Sequence, residues 1–477
     1  MSVGRAGIAT AGHNIANAAT EGFSRQRVES EAIQLGGGFD QVQYGDGARI
    51  ARVDRIHDSY MDKQIRSSMR DMGQYEEKDI LLTQLEDVFN ELGGDGLNHR
   101  ISLFFNDFRR LSEEPQSTAV RESVRESAQA LVGDFRRVYD GVKELQGHMD
   151  SRLEQHVREL NGHLRAVAHI NDEVRKMQAG SGVPNDLIDK RDTALKHIAS
   201  YMDIATFEDN HGNVQVIAKN IGPIVTGGEF HAFQIAHTPG TPSEPTEDDT
   251  IMTWKGAGAV DISTTANVQE VVTHSLHTGK LGGLIETRDK TASSIIDRLD
   301  AIAFGISQQV NALHSSGVAP DGRSGIAFFR DPVSQFGAGE RFALSDLVAD
   351  DAGAIVSAFE ANAPGDNRIA LAIADLQLEK TVASGPSMDA AAYMQSFDDA
   401  YNGIVSGIGM LVARNRDSLH QQKDISTALE KVREELSGVS VDEETTTLLQ
   451  FQHIFDASAK VIQIADELLK TILSLTR

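Results

Sequence analysis

The amino-acid sequence predicts a mainly α-helical protein with a β insert, and three observations support this fold class. Long segments before residue 200 and after residue 280 repeat apolar residues with helical spacing. Shorter segments between them alternate apolar and polar residues, as strands do. The final segment carries a broad apolar stripe that repeats every seven residues, which is typical of a long packed helix.

The composition of the chain argues against several kinds of binding partner and several kinds of chemical site. The chain has 477 residues and a net charge of -25, which argues against nucleic acid and anionic membrane surfaces as partners. It contains no cysteine, which excludes disulfides, thiolate metal sites and cysteine nucleophiles. No stretch approaches the roughly 20 apolar residues that span a bilayer, and the start MSVGRAGIAT does not resemble a secretory signal peptide.

The N-terminal segment combines a small apolar helix face with an early break. The face is formed by Ile8, Ala11, Ile15 and Ala18. Gly7 and Gly12 beside it would allow another backbone to approach closely. In GHNIANAATEGFSRQ (residues 12–26), Asn, Thr and Gly weaken the helix, so we expect a break around residues 20–23, with Phe23 anchoring the turn.

The next segments predict long helices. Residues 80–92 place five apolar residues on one face: Leu81, Leu85, Val88, Phe89 and Leu92. The pattern resumes in ISLFFNDFRRL and again over residues 118–177, where charges of both signs alternate along a solvated face.

The character changes near Tyr201, where the β insert is expected. NVQVIAKN alternates Val214, Val216 and Ala218 with polar neighbours, and turn residues flank it. The proline-rich acidic stretch 238–250 predicts a solvated loop, and IMTWKG after it predicts another strand. Helical spacing returns over residues 282–314, followed by a loop-rich patch and a last helical region from about Met388 to the end.

The C-terminal helix is the strongest physical signal in the sequence. Its three adjacent heptad columns contain Leu448, Phe455, Ile462 and Leu469; Phe451, Ser458, Ala465 and Ile472; and Ile454, Val461, Leu468 and Leu475. Ser440 and Glu443 have the spacing of a capping box at its start. The stripe suits either a core helix of a monomer or a helix that packs against copies of itself.

A search for catalytic and metal-binding patterns indicates no enzyme site. His156, His163 and His169 lack metal-ligand spacing and are interpreted as solvated helix positions. GGGFDQVQYGDG does not join a strand to a helix, so we interpret it as a hairpin or loop. The acids of DLIDKRD, Asp186, Asp189 and Asp192, are interpreted as a helix start with local ion pairs. We therefore expect no catalytic residue, no metal and no cofactor.

Two terminal motifs carry a resemblance to a known family. GHNIANAATEGFSRQ is similar to the N-terminal signature of flagellar rod, hook and hook-associated proteins, and SGVSVDEETTTLLQFQHIFDASAKVIQIADELLKTIL is similar to the C-terminal one. Between them, LFFNDFRRLSEEPQSTAVRESVRESAQAL, NDLIDKRD, GKLGGLIETRD, VNALHSSG and GDNRIALAIADLQ resemble the hook–filament junction members, in the same order and over nearly the whole chain.

The resemblance implies an elongated, multi-domain axial protein with no enzymatic role. It would leave the cell by flagellar type III export and lie outside it, in the flagellum. The implied partners are the hook protein, the second junction protein, an export chaperone on the C-terminal helix, and further copies of the chain in a ring or helical layer. No nucleic acid and no membrane insertion are implied.

The resemblance, together with the order of predicted helices and strands along the chain, predicts three regions. Residues 1–25 with 437–477 would form an inner coiled layer, 26–200 with 280–436 a helical middle domain, and 201–279 a small outer β domain. In the family the first helix begins well before the Asn-Ile-Ala-Asn motif, which here starts at Asn14. The short distance from Phe328 and Phe329 to Gly365 predicts a compact member.

The expected assembly interface comprises Ile8, Gly12, Asn14, Ile15, Asn17, Phe23, Leu448, Phe451, Ile454, Phe455, Val461, Ile462, Leu468, Leu469 and Ile472. Two alternatives differ in class. Another axial subunit would share the terminal motifs but should lack the internal ones. An axial protein with an enzymatic insert would need catalytic spacing between residues 201 and 279, and that region shows none.

Overall fold

A computed structural model describes residues 1–33, 47–90, 96–179, 184–209, 212–237, 260–264, 267–271, 273–363, 365–383 and 394–475. The predicted loop at 238–250, the IMTWKG strand and most of GGGFDQVQYGDG lie outside these residues. The α-helices are α1 Ser2–Ala16, α2 Ser59–Asn90, α3 Leu97–Glu113, α4 Thr118–Ala179, α5 Asn185–Tyr201, α6 Gly279–Glu286, α7 Ser293–Ser316, α8 Ala338–Arg341, α9 Asp346–Asp350, α10 Arg368–Asp375, α11 Phe397–Ser437 and α12 Val441–Leu475. The strands are β1 Gln26–Ala32, β2 Ala48–Arg55, β3 Ile204–Glu208, β4 Val214–Ala218, β5 Gly222–Thr226, β6 Glu229–Phe230, β7 Phe233–His237, β8 Val260–Thr264, β9 Asn267–Val271, β10 Val382–Ala383 and β11 Met394–Gln395.

The predicted fold class, mainly α with a β insert, is confirmed. The early helices pair with late ones: α2 packs along α11, and α1 packs along α12. An aromatic core joins α3 to the segment after α7 and to the start of α11. It contains Phe104, Phe105, Phe108, Phe328, Phe329 and Phe397, all with no exposed surface. Apolar residues from distant parts of the chain therefore pack together in one common core.

The β insert contains two antiparallel sheets, with strand orders β3-β4-β5-β6 and β7-β8-β9. In β4, Val214, Val216 and Ala218 are buried, as the alternating pattern predicted. Asn171 on α4 fixes the first sheet: its Nδ2 donates to Val214 O at 2.9 Å, and its Oδ1 accepts from Val214 N. The insert is therefore docked on the long helix α4.

Two boundaries differ from the sequence prediction. The last helical region begins at Phe397 rather than near Met388, because Ser396 caps the helix by accepting from the Asp399 N–H. Strands β1 and β2 flank the stretch interpreted as a hairpin or loop and pair as an antiparallel hairpin, although no strand was predicted for either segment. Between α6 and α7 the helix continues through a π-helical segment, Thr287–Ala292.

The histidines of α4 do not share one environment, so their common interpretation as solvated positions was wrong for His156. That residue is buried, with Nε2 3.1 Å from Glu77 Oε2. Burial alone would raise the pKa of Glu77, but its contacts with His156 and Arg152 outweigh burial and lower that pKa. His163 stacks on His197, and His169 is highly exposed. None of the described helices is long and apolar enough to cross a membrane.

Candidate assembly interface

Helices α1 and α12 form an antiparallel pair built on two glycines. A Cβ on Gly7 would lie 2.2 Å from Cγ of Phe451, and one on Gly4 would lie 3.1 Å from Cβ of Phe455. The two phenylalanine side chains thus occupy space that only glycine leaves open. The predicted interface residues Phe451 and Phe455 therefore make their contacts within the same chain.

The buried face of α1 is offset from the predicted one. It contains Gly4, Gly7, Ala11 and Asn14, whereas Ile8 and Ile15 are half-buried beside it. Close backbone approach is present at Gly7 but not at Gly12, where an added Cβ would have no neighbour within 4 Å. Within one chain the glycines that meet α12 are therefore Gly4 and Gly7, and Gly12 lies on another side of the helix.

The two glycines provide a matched test of this packing. We expect Gly7→Ala to weaken the α1–α12 pair by about 1–3 kcal/mol, because the Phe451 ring must leave its place. Gly12→Ala should instead stabilise α1 by about 0.5–1 kcal/mol, since it removes backbone freedom in open space. Amide hydrogen exchange of α1 measures both effects. Equal protection in the two variants would contradict the packing.

Asn14 of the Asn-Ile-Ala-Asn motif joins three parts of the chain. Its Nδ2 donates to Gln26 O at 2.9 Å and to Glu444 Oε2 at 3.0 Å, and its Oδ1 accepts from Gln26 N at 3.0 Å. Asn14 is 0 % exposed and Glu444 is 2 % exposed. The motif residue therefore fixes the start of β1 and the start of α12 against the end of α1.

Arg25 reinforces the same junction from the turn after α1. Its Nε donates to Glu444 Oε1 at 2.6 Å, and its Nη1 to Glu443 Oε2 at 2.8 Å. Its backbone N–H donates to Ser437 O, the last residue of α11. Glu444 is buried, Arg25 pairs its charge, and Asn14 donates a hydrogen bond to its carboxylate. Removal of Arg25 would leave a buried charge unpaired, and removal of Asn14 would leave a carboxylate oxygen without its donor, and both changes are costly.

The acids at the start of α5 hold this junction to the middle of the chain. Asp189 accepts from Ser24 N at 3.1 Å and from Arg55 Nη1 at 2.5 Å, and Asp192 accepts from Arg55 at 2.9 Å. Asp186 Oδ1 contacts His13 Nε2 and accepts from Gln26 Nε2. The interpretation of these acids as a helix start is confirmed, because α5 begins at Asn185, but the expectation of local ion pairs was wrong. The signal available in the sequence was their spacing of three, which puts them on one helix face.

Two more of the predicted interface residues, Asn17 and Phe23, lie in the turn between α1 and β1. Helix α1 ends at Ala16. The next residue, Asn17, donates a hydrogen bond from its Nδ2 to His13 O at 3.0 Å. Gly22 has φ +79, a left-handed conformation that suits glycine. Phe23 is half-buried and meets the His13 ring edge-on, with centroids 5.5 Å apart. Phe23 thus packs back on the end of α1, as expected for a turn anchor.

Helix α12 starts where the capping pattern placed it. Ser440 Oγ lies 3.4 Å from the Glu443 backbone N and accepts its hydrogen, the contact that a helix cap makes. The Glu443 carboxylate meets Arg25 rather than completing a reciprocal box. Glu444, one residue further, is the buried acid that the capping pattern alone did not single out.

Most of α12 extends beyond its partner. Opposite the start of α1, Phe455 is half-buried, and the residues after Ala459 are exposed as far as residue 474. The exposed apolar side chains there are Val461, Ile462, Ile464, Leu468, Leu469, Ile472 and Leu473; Leu468 is 59 % exposed. Of the other predicted residues, Leu448 is half-buried and Ile454 is exposed. Such a stripe is far larger than the isolated apolar residues of an ordinary surface.

The polar side chains of the described residues are used in contacts within the chain. They contain no group of three or more metal-ligating side chains that could hold an ion. The carboxylates and histidines described above bind arginines, backbone amides and one another. These side chains therefore stabilise contacts between helices and strands.

Comparison with known proteins agrees with this geometry. Residues 82–329, more than half of the chain, match the flagellar hook-associated protein FlgK helical domain. The chain belongs to the FlgK family. Residues 433–475 also match the C-terminal region of the flagellar basal body rod FlgEFG proteins. This second match covers α12 and confirms the axial resemblance of the C-terminal motif.

Full-length relatives have the same name across distant bacteria. The chain is 26 % identical to flagellar hook-associated protein 1 of Bacillus subtilis (strain 168), over 99 % of this chain and 96 % of the relative. It is 22 % identical to the protein of that name from Salmonella typhimurium, over 100 % of this chain and 98 % of the relative. The predicted resemblance is confirmed.

A solved structure supports the fold. The flagellar hook junction protein FlgK from Burkholderia pseudomallei superposes with a TM-score of 0.64 at 16 % identity, covering 78 % of this chain and 100 % of that one. As a FlgK family member, the chain is a structural axial subunit of the bacterial flagellum, with other axial components as its partners. The alternative axial roles are not favoured.

Proposed function

We propose that this subunit joins the hook to the filament and assembles through its terminal helices. The observation that supports the assembly step is the exposed apolar stripe of α12 beyond Phe455. Copies of the chain in a ring or helical layer would bury that stripe and remove a large exposed apolar surface from water. The direct partners would be the hook protein on one side and the second junction protein on the other.

The proposed interface has two parts with different roles. The predicted residues Val461, Ile462, Leu468, Leu469 and Ile472 are exposed and would meet other copies directly. Phe451 and Phe455 would act indirectly, because they hold α1 against α12 and so define the surface that the pair presents. Ile8, Gly12 and Ile15 lie beside the buried face of α1 and would meet a neighbouring copy there.

The domain division follows from the same scheme. Residues 1–25 with 437–477 would form the inner coiled layer, 26–200 with 280–436 the helical middle domain, and 201–279 the outer β domain. In support, α11 ends at Ser437 and α12 begins at Val441, so the C-terminal boundary falls between two helices. The polar junction around Asn14 would then connect the inner layer to the middle domain.

A subunit that is exported before it assembles needs the apolar stripe of α12 to be covered in the meantime. We place the mature subunit outside the cell, delivered by flagellar type III export. A dedicated chaperone on α12 would shield its apolar residues until then. The proposal includes no enzymatic activity, because the polar clusters described above serve packing and ion pairing.

Immunolabelling of intact flagella tests the proposed place of the subunit. A gold-labelled antibody against the β insert should mark a short zone between hook and filament. Flagella from a strain that lacks the gene serve as the control for antibody specificity. Labelling along the filament or below the hook would assign the chain to another part of the axis.

A further inference from the structure

His314, near the end of α7, is a completely buried histidine, with 0 % of its surface exposed. Its two ring nitrogens bind the backbone of two different segments. Nδ1–H donates to Ile326 O at 2.7 Å, and Nε2 accepts from the Val356 N–H at 2.9 Å. A carbonyl oxygen can only accept and a backbone N–H can only donate, so Nδ1 carries the hydrogen and Nε2 carries none. The geometry therefore fits only the neutral imidazole.

Arg121 of α4 binds the residues on either side of Val356. Its Nη1 donates to Ile355 O, and its Nη2 donates to Ser357 Oγ at 2.9 Å and to Pro115 O at 2.6 Å. Arg121 is itself buried, and a guanidinium stays protonated in proteins. The backbone at this point is thus bound by a permanent cation and by an imidazole that must be neutral.

The backbone of residues 355–358, which we call the 355–358 segment, links two helices. Ser357 O accepts from Ile369 N at 3.1 Å, in the first turn of α10. Ala358 O accepts from Val318 N at 2.9 Å, two residues after the end of α7. Loss of the bond to the imidazole would therefore loosen the start of α10 and the chain that follows α7.

Protonation of His314 would place a second buried positive charge beside this segment. Among the described residues, Arg121 is the charged side chain that acts on the imidazole, and none of the described carboxylates forms an ion pair with it. The segment after α7 contributes Phe328, whose ring meets the imidazole edge-on with centroids 5.2 Å apart. The pKa of His314 is lowered to about 4, chiefly by burial and also by the charge of Arg121, while the bond to Ile326 O opposes both.

The acid beside the segment keeps its charge in the same pH range. Asp366 Oδ2 accepts from Phe359 N at 2.7 Å, one residue after the segment. Hydrogen bonds from Arg368 hold the pKa of Asp366 well below its usual range. Acidification from pH 7 to pH 4 therefore acts on His314 and leaves this neighbouring carboxylate ionised.

We propose that His314 is an acid-sensitive latch. The neutral ring fixes the 355–358 segment to the end of α7, and the imidazolium releases it, because the new Nε2–H would point at the Val356 N–H. Release frees the first turn of α10, whereas the α1–α12 pair is held by other residues and keeps its contacts. The subunit thus contains a local opening that acid controls separately from its terminal helices.

Amide hydrogen exchange of the full-length protein from pH 7.5 to pH 4, corrected for the intrinsic pH dependence of exchange, measures this opening. In the opened state His314 has its ordinary pKa of about 6.5, above its pKa in the closed state. Closure is therefore complete above pH 6.5 and is lost as the pH falls toward 4. We expect the opening constant of the 355–358 amides to rise about tenfold from pH 7.5 to pH 5.5 and about a hundredfold at pH 4.

His314→Gln is the matched variant, because its amide can donate to Ile326 O and accept from the Val356 N–H without titrating. The rise should disappear in this variant, and peptides of the α2–α11 pair should show no comparable rise in the unchanged protein. No rise in the unchanged protein, or an equal rise in the variant, would overturn the latch. An equal rise in α2 and α11 would show global unfolding and would overturn it as well.

A second measurement needs no folded variant. Ring nitrogen-15 chemical shifts of histidine-labelled full-length protein report the tautomer and the protonation of each imidazole. We expect the His314 signal to show a hydrogen on Nδ1 and to stay neutral until the pH approaches 4. A His314 ring that titrates near pH 6.5, or that carries its hydrogen on Nε2, would contradict the latch.

Discussion

Leu468→Asp is expected to abolish incorporation of the subunit into flagella while leaving the fold intact. Leu468 is 59 % exposed in the single chain, so a charge there remains hydrated before assembly. In the proposed inner layer the same carboxylate would be buried among apolar side chains of neighbouring copies. That burial costs several kcal/mol, and about 3 kcal/mol already corresponds to a hundredfold weaker association.

Gln463→Asp is the matched control, because it adds the same charge on the opposite, polar side of α12. Cells producing it should assemble normal flagella, whereas cells producing Leu468→Asp should export the subunit without retaining it. The measurements are swimming, electron microscopy of flagella and the amount of free subunit in the medium. Normal flagella in the Leu468→Asp strain would contradict the assembly role of the stripe.

Asn14→Asp is expected to release the α1–α12 pair from the rest of the chain. The change removes the Nδ2 donor that binds Gln26 O and Glu444 Oε2, and places a second carboxylate about 3 Å from a buried one. Unpaired or like charges at such a site cost on the order of 3 kcal/mol. Hydrogen exchange should therefore show loss of protection in α1 and at the start of α12.

The α2–α11 pair and the β insert should keep their protection in this variant, because their contacts do not involve Asn14. Adding Glu444→Gln to Asn14→Asp removes the repulsion and should recover part of the lost protection, although it also weakens the bond to Arg25. A double variant no better than Asn14→Asp alone would show that the two side chains are not energetically coupled.

The sequence was informative wherever the signal was local. Helical spacing predicted α2, α3 and α4, alternation predicted β4, and Ser440 marked the start of α12. These features depend on residues a few positions apart, so the chain itself contains their geometry. The terminal and internal motifs also sufficed to recognise the axial family.

Side-chain contacts between residues far apart in the chain could not be predicted from the sequence. Asn14 and Glu444 are separated by 430 residues, and no local pattern identifies Glu444 as the buried acid. The same holds for the acids of α5, which bind Ser24 and Arg55 rather than their helical neighbours, and for His156, which is buried against Glu77. Alternating charges predict a solvated face, but they do not reveal which of them another helix will cover.

The glycines of α1 illustrate the same division. The sequence determined that the first helix has small side chains on one face and ends early. It also suggested close packing at Gly7 and Gly12. Only the tertiary structure decided that Gly4 and Gly7 receive Phe455 and Phe451, while Gly12 faces open space. The physical reason is that a helix fixes which residues share a face, whereas the rotation of that helix is set by the partner against which it packs.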